Sequence, residues 1–375
     1  MSFVGFDTIQ AAETTFVGAG LPTPTELFDD VAVEPEEPER PLIRASAPPP
    51  APETFKRLCD EFRARHEKSP TMKQIEATAS LPQHLAGGEA NPDWLASRLH
   101  KVTGSAIGAL AGVNPYEQPE DKIASLVWPD YNPFRGNEMT KVRPSLIVSP
   151  AGAKQATHTH THKHNPRPPR AQWGNVHEDD AQAAFALAIG VPESHIENVG
   201  LVVSAEKGYL AMSPDGVLHT STGPELIEFK CPWGCRYLET ERDVLQKGSL
   251  YPRKLISGAK CGVVPIPPYY FTQVQHGMSV LSSLGKRFTR AHFVVWSPSK
   301  SADVREIARS PDGSRIVSTP KGTVQLTVVE RDDAYIARMY ERVDKMWDKY
   351  VAACVWRDCQ CLNEPDLTPS LDLDV

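Results

Sequence analysis

The sequence predicts an α/β fold, a mixed central sheet flanked by helices, and three observations carry that expectation. A helix-patterned segment, EDDAQAAFALAIG (178–190), precedes a run of short strand-like segments, HIENVGLVVS, GYLAMS, GVLHT and ELIEFKCP, between residues 195 and 232. A second helical pattern, PYYFTQVQHGMSVLSSLG, leads into the strand-like AHFVVWSP and VREIAR. The stretch 331–356 closes the pattern as an amphipathic helix, with Ile336, Met339, Tyr340, Val343, Trp347 and Tyr350 at three- and four-residue steps. Strands enclosed between helices imply a sheet covered by helical layers.

Upstream elements extend this outline. ETFKRLCDEFRARHEKSP spaces Phe55, Leu58, Cys59 and Phe62 as a helix face that Pro70 stops. In DWLASRLHKVTGSAIGALAGVNPY, Trp94, Leu95, Leu99, Val102, Ile107 and Leu110 predict two short helices joined at residues 103–105. In the 178–190 helix, Ala181, Ala184, Phe185 and Ala188 share a face, and Gly190 and Pro192 end it. The domain reading is a disordered acidic, Pro-rich arm (1–53), one folded domain (54–355) and a short tail (356–375).

The arm carries ten acids against Arg40 and Arg44, a balance of −8 within a formal charge of −7, so the body is close to neutral at +1. Global charge therefore neither predicts nor excludes nucleic-acid binding. No apolar run is long enough for a membrane span and no secretory signal is present, so an intracellular, soluble protein with reduced thiols is expected; seven scattered cysteines agree with that. A loop insertion is expected at about 128–170. It ends in ATHTHTHKHNPRPPR, where His158, His160, His162 and His164 alternate; a flexible basic loop is the main reading and a soft metal site the minor one.

The chemistry is concentrated in YLAMSPDGVLHTSTGPELIEFKCPWGCR (209–236). Asp215 stands in a turn between strands, and thirteen residues later Glu228 and Lys230 flank Phe229. Alternation along a strand puts Glu228 and Lys230 on one face and Phe229 on the other. Charges on an apolar strand are costly unless paired. Asp215 and Glu228 are hard oxygen donors suited to magnesium, while Lys230 can stabilise an incoming hydroxide or a developing phosphorane and help deprotonate water.

Three strings in order, Ser213-Pro214-Asp215-Gly216, Glu228-Phe229-Lys230-Cys231-Pro232 and Gln273-Val274-Gln275, resemble the PD-(D/E)XK nuclease superfamily and, within it, the lambda-type, YqaJ-like viral recombinase exonucleases. The repeat Ser310-Pro311-Asp312-Gly313 has no E-x-K after it and is expected to be only a hairpin turn. The resemblance implies a restriction-endonuclease-like core. It also implies that Glu178, four residues after Gly174, joins Asp215, Glu228 and the Phe229 carbonyl in holding one or two Mg2+ ions, with Mn2+ as a substitute. Trp173 stands where the family has an arginine. Gln273 is the family's active-site glutamine. Arg98, Ser105, Ser213 and Arg236 match its 5′-phosphate pocket. The implied activity is 5′ to 3′ resection of double-stranded DNA ends for recombination or viral genome processing. A single-strand-annealing protein is the implied partner and a homo-trimer the implied assembly.

Rival expectations use the same residues differently. A structure-selective endonuclease or resolvase would need the metal core but no grip on a terminal phosphate. A non-catalytic DNA-binding protein would have no need for Glu178, Asp215, Glu228 and Lys230 together. An iron–sulfur cluster on Cys59, Cys354, Cys359 and Cys361 is not expected, because the C-x4-C-x-C spacing departs from the C-x2-C grouping of cluster-bearing relatives.

Overall fold

The computed structural model describes residues 50–85, 90–128, 169–250 and 266–361. The acidic arm up to residue 49, the His-rich run and most of the expected insertion lie outside these residues. The helices are α1 (Pro52–His66), α2 (Met72–Ala79), α3 (Pro92–Ser97), α4 (Gly104–Leu110), α5 (Pro119–Val127), α6 (Pro169–Val176), α7 (Glu178–Ile189), α8 (Glu241–Lys247), α9 (Pro268–Leu281) and α10 (Asp333–Cys361). The strands are β1 (Ile196–Glu197), β2 (Val202–Val203), β3 (Ala211–Met212), β4 (Gly216–Thr220), β5 (Gly223–Lys230), β6 (Arg290–Ser297), β7 (Arg305–Arg309), β8 (Arg315–Thr319) and β9 (Gly322–Glu330).

Seven strands form one sheet in the order β1-β4-β5-β6-β9-β8-β7, and β2 pairs with β3 in a separate two-stranded ribbon. Only β5 and β6 run parallel; every other neighbouring pair in the large sheet is antiparallel. That single parallel pair requires a crossover, and the chain between Lys230 and Arg290 supplies it through α8 and α9. The mixed sheet flanked by helices is the fold class expected from the sequence.

Period-two alternation divides β5 between two cores. Leu226 faces a large cluster built with Met212, Val274, Met278, Phe293, Tyr335 and Met339. Ile227 and Phe229 face a second cluster built with Ala181, Ala184, Phe185, Val294 and Trp296. The alanines of α7 let that helix lie close on the sheet, and Gly190, in the left-handed conformation at φ +74°, ends it as expected. On the opposite side α10 buries Ile336, Met339, Val343, Trp347 and Tyr350. It continues to Cys361, so a tail boundary at 355 falls inside a helix.

Other expectations need correction. Leu95 and Leu99 are 49% and 67% exposed: α3 is too short to present a full apolar stripe, and Trp94 alone anchors it. HIENVGLVVS is not one strand, because Ile196 and Glu197 pair with β4 whereas Val202 and Val203 pair with β3. The Ser310–Gly313 segment is a hairpin turn between β7 and β8, as expected.

Candidate active site

Antiparallel pairing of β4 with β5 sets Gly216 opposite Ile227. Asp215, just before β4, is thereby carried to the level of Glu228, and the next residue's backbone N–H, that of Phe229, donates to Asp215 Oδ2 at 2.7 Å. Pro214 carries the next link, its carbonyl accepting from Gln83 Nε2 at 3.0 Å. Glu228 and Lys230 point away from Phe229, as alternation requires. The Lys230 ammonium donates to Glu228 Oε1, and Gln273 Nε2, one turn after Tyr270 on α9, donates to the same oxygen at 2.6 Å. Lys230 Nζ also lies 5.4 Å from the centre of the Tyr270 ring. Glu178 opens α7 from the other core and faces the same centre.

Electrostatics identify this centre as under-compensated. Burial, then the nearby Asp215 charge, pushes Glu178 up to about 7, with Lys230 opposing. Burial and then Asp215 push Glu228 up to about 8. Burial raises Asp215 as well, against the pull of Lys230 and the Phe229 N–H. For Lys230, burial alone would lower the pKa, but Glu228, Asp215 and Tyr270 outweigh it and hold the ammonium form. An ammonium held in this way donates to the Glu228 carboxylate and sets a positive charge among the three acids.

Three carboxylates around one ammonium leave negative charge unbalanced. Glu228 Oε2 is buried without a hydrogen-bond partner. A hard divalent cation fits both facts. Among the described residues no three His, Cys, Asp or Glu side chains are already set as a metal cage; magnesium does not need one, since it binds through one or two carboxylates and keeps several waters. Cys59, Cys354 and Cys359 form no disulfide among the described residues, and the Cys361 side chain lies outside them.

Three of the four expected phosphate-pocket residues are brought together. The Arg98 guanidinium lies 4.3 Å from the centre of the Trp94 ring, and Trp94 Nε1–H donates to Ser213 Oγ at 3.0 Å. Arg98 Nη2 reaches Thr103 Oγ1 at 3.4 Å, and Thr103 Oγ1 is 3.3 Å from Ser105 Oγ. Burial lowers the Arg98 pKa, and among the described residues no carboxylate pairs with it. Arg236 is engaged by Trp233 and Tyr237, and among the described residues it makes no hydrogen bond with Arg98, Ser105 or Ser213.

The family model of the YqaJ-like viral recombinase domain matches residues 93–283, from the start of α3 to just past the end of α9. The chain belongs to that family. Membership together with the carboxylate–lysine centre makes this YqaJ-like chain a nuclease that hydrolyses phosphodiester bonds. A search of curated proteins finds no match. Among solved structures the chain is similar to the alkaline exonuclease LHK-Exo of Laribacter hongkongensis, with a TM-score of 0.41 and 19% identity over 72% of this chain and 98% of that one. It is also similar to the Shutoff and Exonuclease Protein of Kaposi's sarcoma-associated herpesvirus, with a TM-score of 0.42 and 10% identity over 81% of this chain and 83% of that one. A phage-related exonuclease from Haemophilus somnus 129PT gives a TM-score of 0.35 and 15% identity over 67% and 93%.

Two contributors escaped the sequence reading. Gln83 fastens the turn that holds Asp215, and no local signal marks a glutamine that acts 131 residues away. Trp94 links Arg98 to Ser213; its position four residues before Arg98, one helical turn away, was the available signal.

Proposed function

We propose that this YqaJ-like chain is a magnesium-dependent exonuclease that resects double-stranded DNA from a 5′ end, with manganese as a substitute ion. The observation that carries the reading is the buried, partnerless Glu228 Oε2 within three mutually repelling carboxylates, beside a carboxylate-free Arg98 pocket. Glu178, Asp215, Glu228 and the Phe229 carbonyl would hold the metal. When bound, one or two ions stabilise the attacking and leaving oxygens of phosphodiester hydrolysis. Lys230 supplies a compact cation for the charge that develops on the phosphoryl oxygens. Gln273 fixes the Glu228 oxygen that Lys230 also engages, and so holds lysine and carboxylate in register. Arg98 presents a guanidinium fork to a terminal phosphate, with Ser105 and Ser213 as hydroxyl donors and Arg236 as a second cation at the mouth.

The same reading extends to double-stranded DNA ends as substrate, a single-strand-annealing protein as consumer of the 3′ strand, and a homo-trimer as the working assembly. Among the described residues no helix is long and apolar enough to cross a membrane. The test is a time course on linear duplexes with 5′-phosphate or 5′-hydroxyl ends and on a covalently closed circle. The 5′-phosphate form should be degraded fastest and the circle should survive. Rapid cutting of the circle would replace this reading with a structure-selective endonuclease.

A further inference from the structure

Directly after β5, three residues beyond Lys230, the chain makes a 3-10 turn at Trp233–Cys235. The Arg236 guanidinium packs against two rings, 4.0 Å from the centre of Trp233 and 3.7 Å from that of Tyr237. Its Nη1 donates to the Trp233 carbonyl at 2.6 Å and its Nη2 to the Tyr237 hydroxyl. Tyr237 is 69% exposed. Trp173 meets Trp233 edge-on at 5.9 Å, and the Trp173 ring lies 4.1 Å from His177. The His177 ring in turn stacks on buried Trp296 at 4.8 Å, so what joins the exposed Tyr237–Arg236–Trp233 group to the carboxylate centre is the short stretch of chain from Trp233 back to Lys230.

We propose that Trp233 and Tyr237, stiffened by Arg236, form a stacking platform for unpaired nucleobases at the mouth of the active site, and that its ligand is the single strand of a frayed DNA end. The proposal rests on the nuclease reading above and adds a second binding surface to it. Its chemistry follows from three features. The rings are already ordered by the guanidinium, so a base that stacks there meets little further entropy cost. Among the described residues no carboxylate forms an ion pair with Arg236, so its charge is left for a phosphate of the strand whose bases stack. The turn follows Lys230 by three residues, so the platform stands next to the strand end that carries the carboxylate–lysine centre, within reach of the unpaired nucleotides of a frayed end. Base faces are hidden in an intact duplex, so the platform selects unpaired nucleotides.

The experiment measures binding of the full-length protein to a short oligothymidylate and to an abasic strand of the same length and charge, in chelator so that nothing is cut. The base-bearing strand should bind about tenfold tighter, the scale expected for stacking on exposed aromatics. Tyr237→Ala, at an exposed position, should lose most of that margin, and Trp233→Phe should keep more of it than Trp233→Ala. Binding of a blunt duplex should not change. Equal affinity of the wild type for the two strands, or an undiminished margin in Tyr237→Ala, overturns the platform. Digestion of a linear duplex in magnesium is run in parallel: cutting without base discrimination removes the platform alone, whereas no cutting of any DNA removes the nuclease reading and leaves the binding comparison to be judged separately.

Discussion

The chain makes the tetrapeptide Ser-Pro-Asp-Gly twice, at 213–216 and at 310–313, and the two copies do different things. In the second, Asp312 turns back on its own loop: its Oδ1 accepts from Ser314 N at 2.9 Å, Gly313 N–H donates to Ser310 O at 3.0 Å, and Asp312 is exposed. In the first, Asp215 reaches across to the Phe229 N–H of the neighbouring strand, and Ser213 accepts from Trp94. The tetrapeptide therefore specifies a turn and nothing more. Chemistry comes from what the turn is next to, which at Asp215 is a strand carrying Glu228 and Lys230 and at Asp312 is the two strands of a surface hairpin.

The largest expected effect tests that difference directly. Asp215→Ala should lower magnesium-dependent DNA hydrolysis by roughly a thousandfold or more, the scale of losing a metal ligand at the reacting phosphate, while circular dichroism shows a retained fold. Asp312→Ala should leave the rate within about twofold, since it touches only its own turn. Comparable activity of the two variants would erase the distinction.

Substitution of the serines gives the next contrast. Ser213→Ala removes a hydroxyl from the group that joins Trp94 and Arg98, so the preference for 5′-phosphate over 5′-hydroxyl ends should shrink by about tenfold, as for the loss of one charge-assisted contact. Ser310→Ala should leave that preference unchanged. Rate ratios on paired linear substrates measure it independently of specific activity; an unchanged ratio in Ser213→Ala would detach Ser213 from the pocket.

How much of this was legible in the sequence depends on the range of the interactions. The alternation of Glu228, Phe229 and Lys230 is local, and it correctly set Glu228 and Lys230 on the face opposite Phe229. The pairing of Ser213 with Trp94 spans 119 residues and Arg98 gives no hint of it, so the pocket's scaffold became visible only once the fold had joined them. Strand β9 went unnoticed because Thr323, Gln325 and Thr327 interrupt its valines. In the structure all three are buried and hydrogen-bonded: Gln325 accepts from Leu250 N at 2.7 Å, Thr327 bonds Ser314 at 3.0 Å and Thr323 bonds Ser318 at 3.0 Å. Buried polar groups are satisfied in such strands by partners that pattern alone does not supply.

The glycines of the two turns are required for different reasons, which gives a smaller but sharper test. Gly313 has φ +83° and open space around its missing Cβ. A Cβ on Gly216 would come within 2.8 Å of Ile196 Cγ2, with no positive φ. Gly313→Ala should cost about 1–2 kcal/mol through the left-handed backbone, and Gly313→Asn less, because asparagine tolerates that region. Gly216→Asn should be worse than Gly216→Ala, because its difficulty is bulk. Chemical denaturation of the four variants reads the two orders, and the same order at both sites would mean that one cause governs both turns.

The smallest expected effect concerns pH, and it separates the two aspartates by their surroundings alone. Asp215 has a raised pKa because it is buried, and Glu178 and Glu228 beside it sit at about 7 and about 8. A carboxyl whose pKa is raised on folding holds its proton longer in the folded protein than in the unfolded chain. Its contribution to stability is complete below the ordinary carboxyl range near 4 and is lost as pH rises through the folded values. In chelator, Asp215→Asn should therefore melt above the wild type at pH 8, and the gap should narrow at pH 5; the amide oxygen of asparagine can still accept from Phe229 N–H, so the turn is kept. The effect is small because the three coupled carboxyls share their protons and no single substitution relieves all of them. Asp312→Asn, at an exposed position, serves as the surface control. Thermal melts of the three proteins at the two pH values decide it: a pH-independent gap for Asp215→Asn would mean that Asp215 ionises freely, and the strain attributed to the site would belong to Glu178 and Glu228 alone.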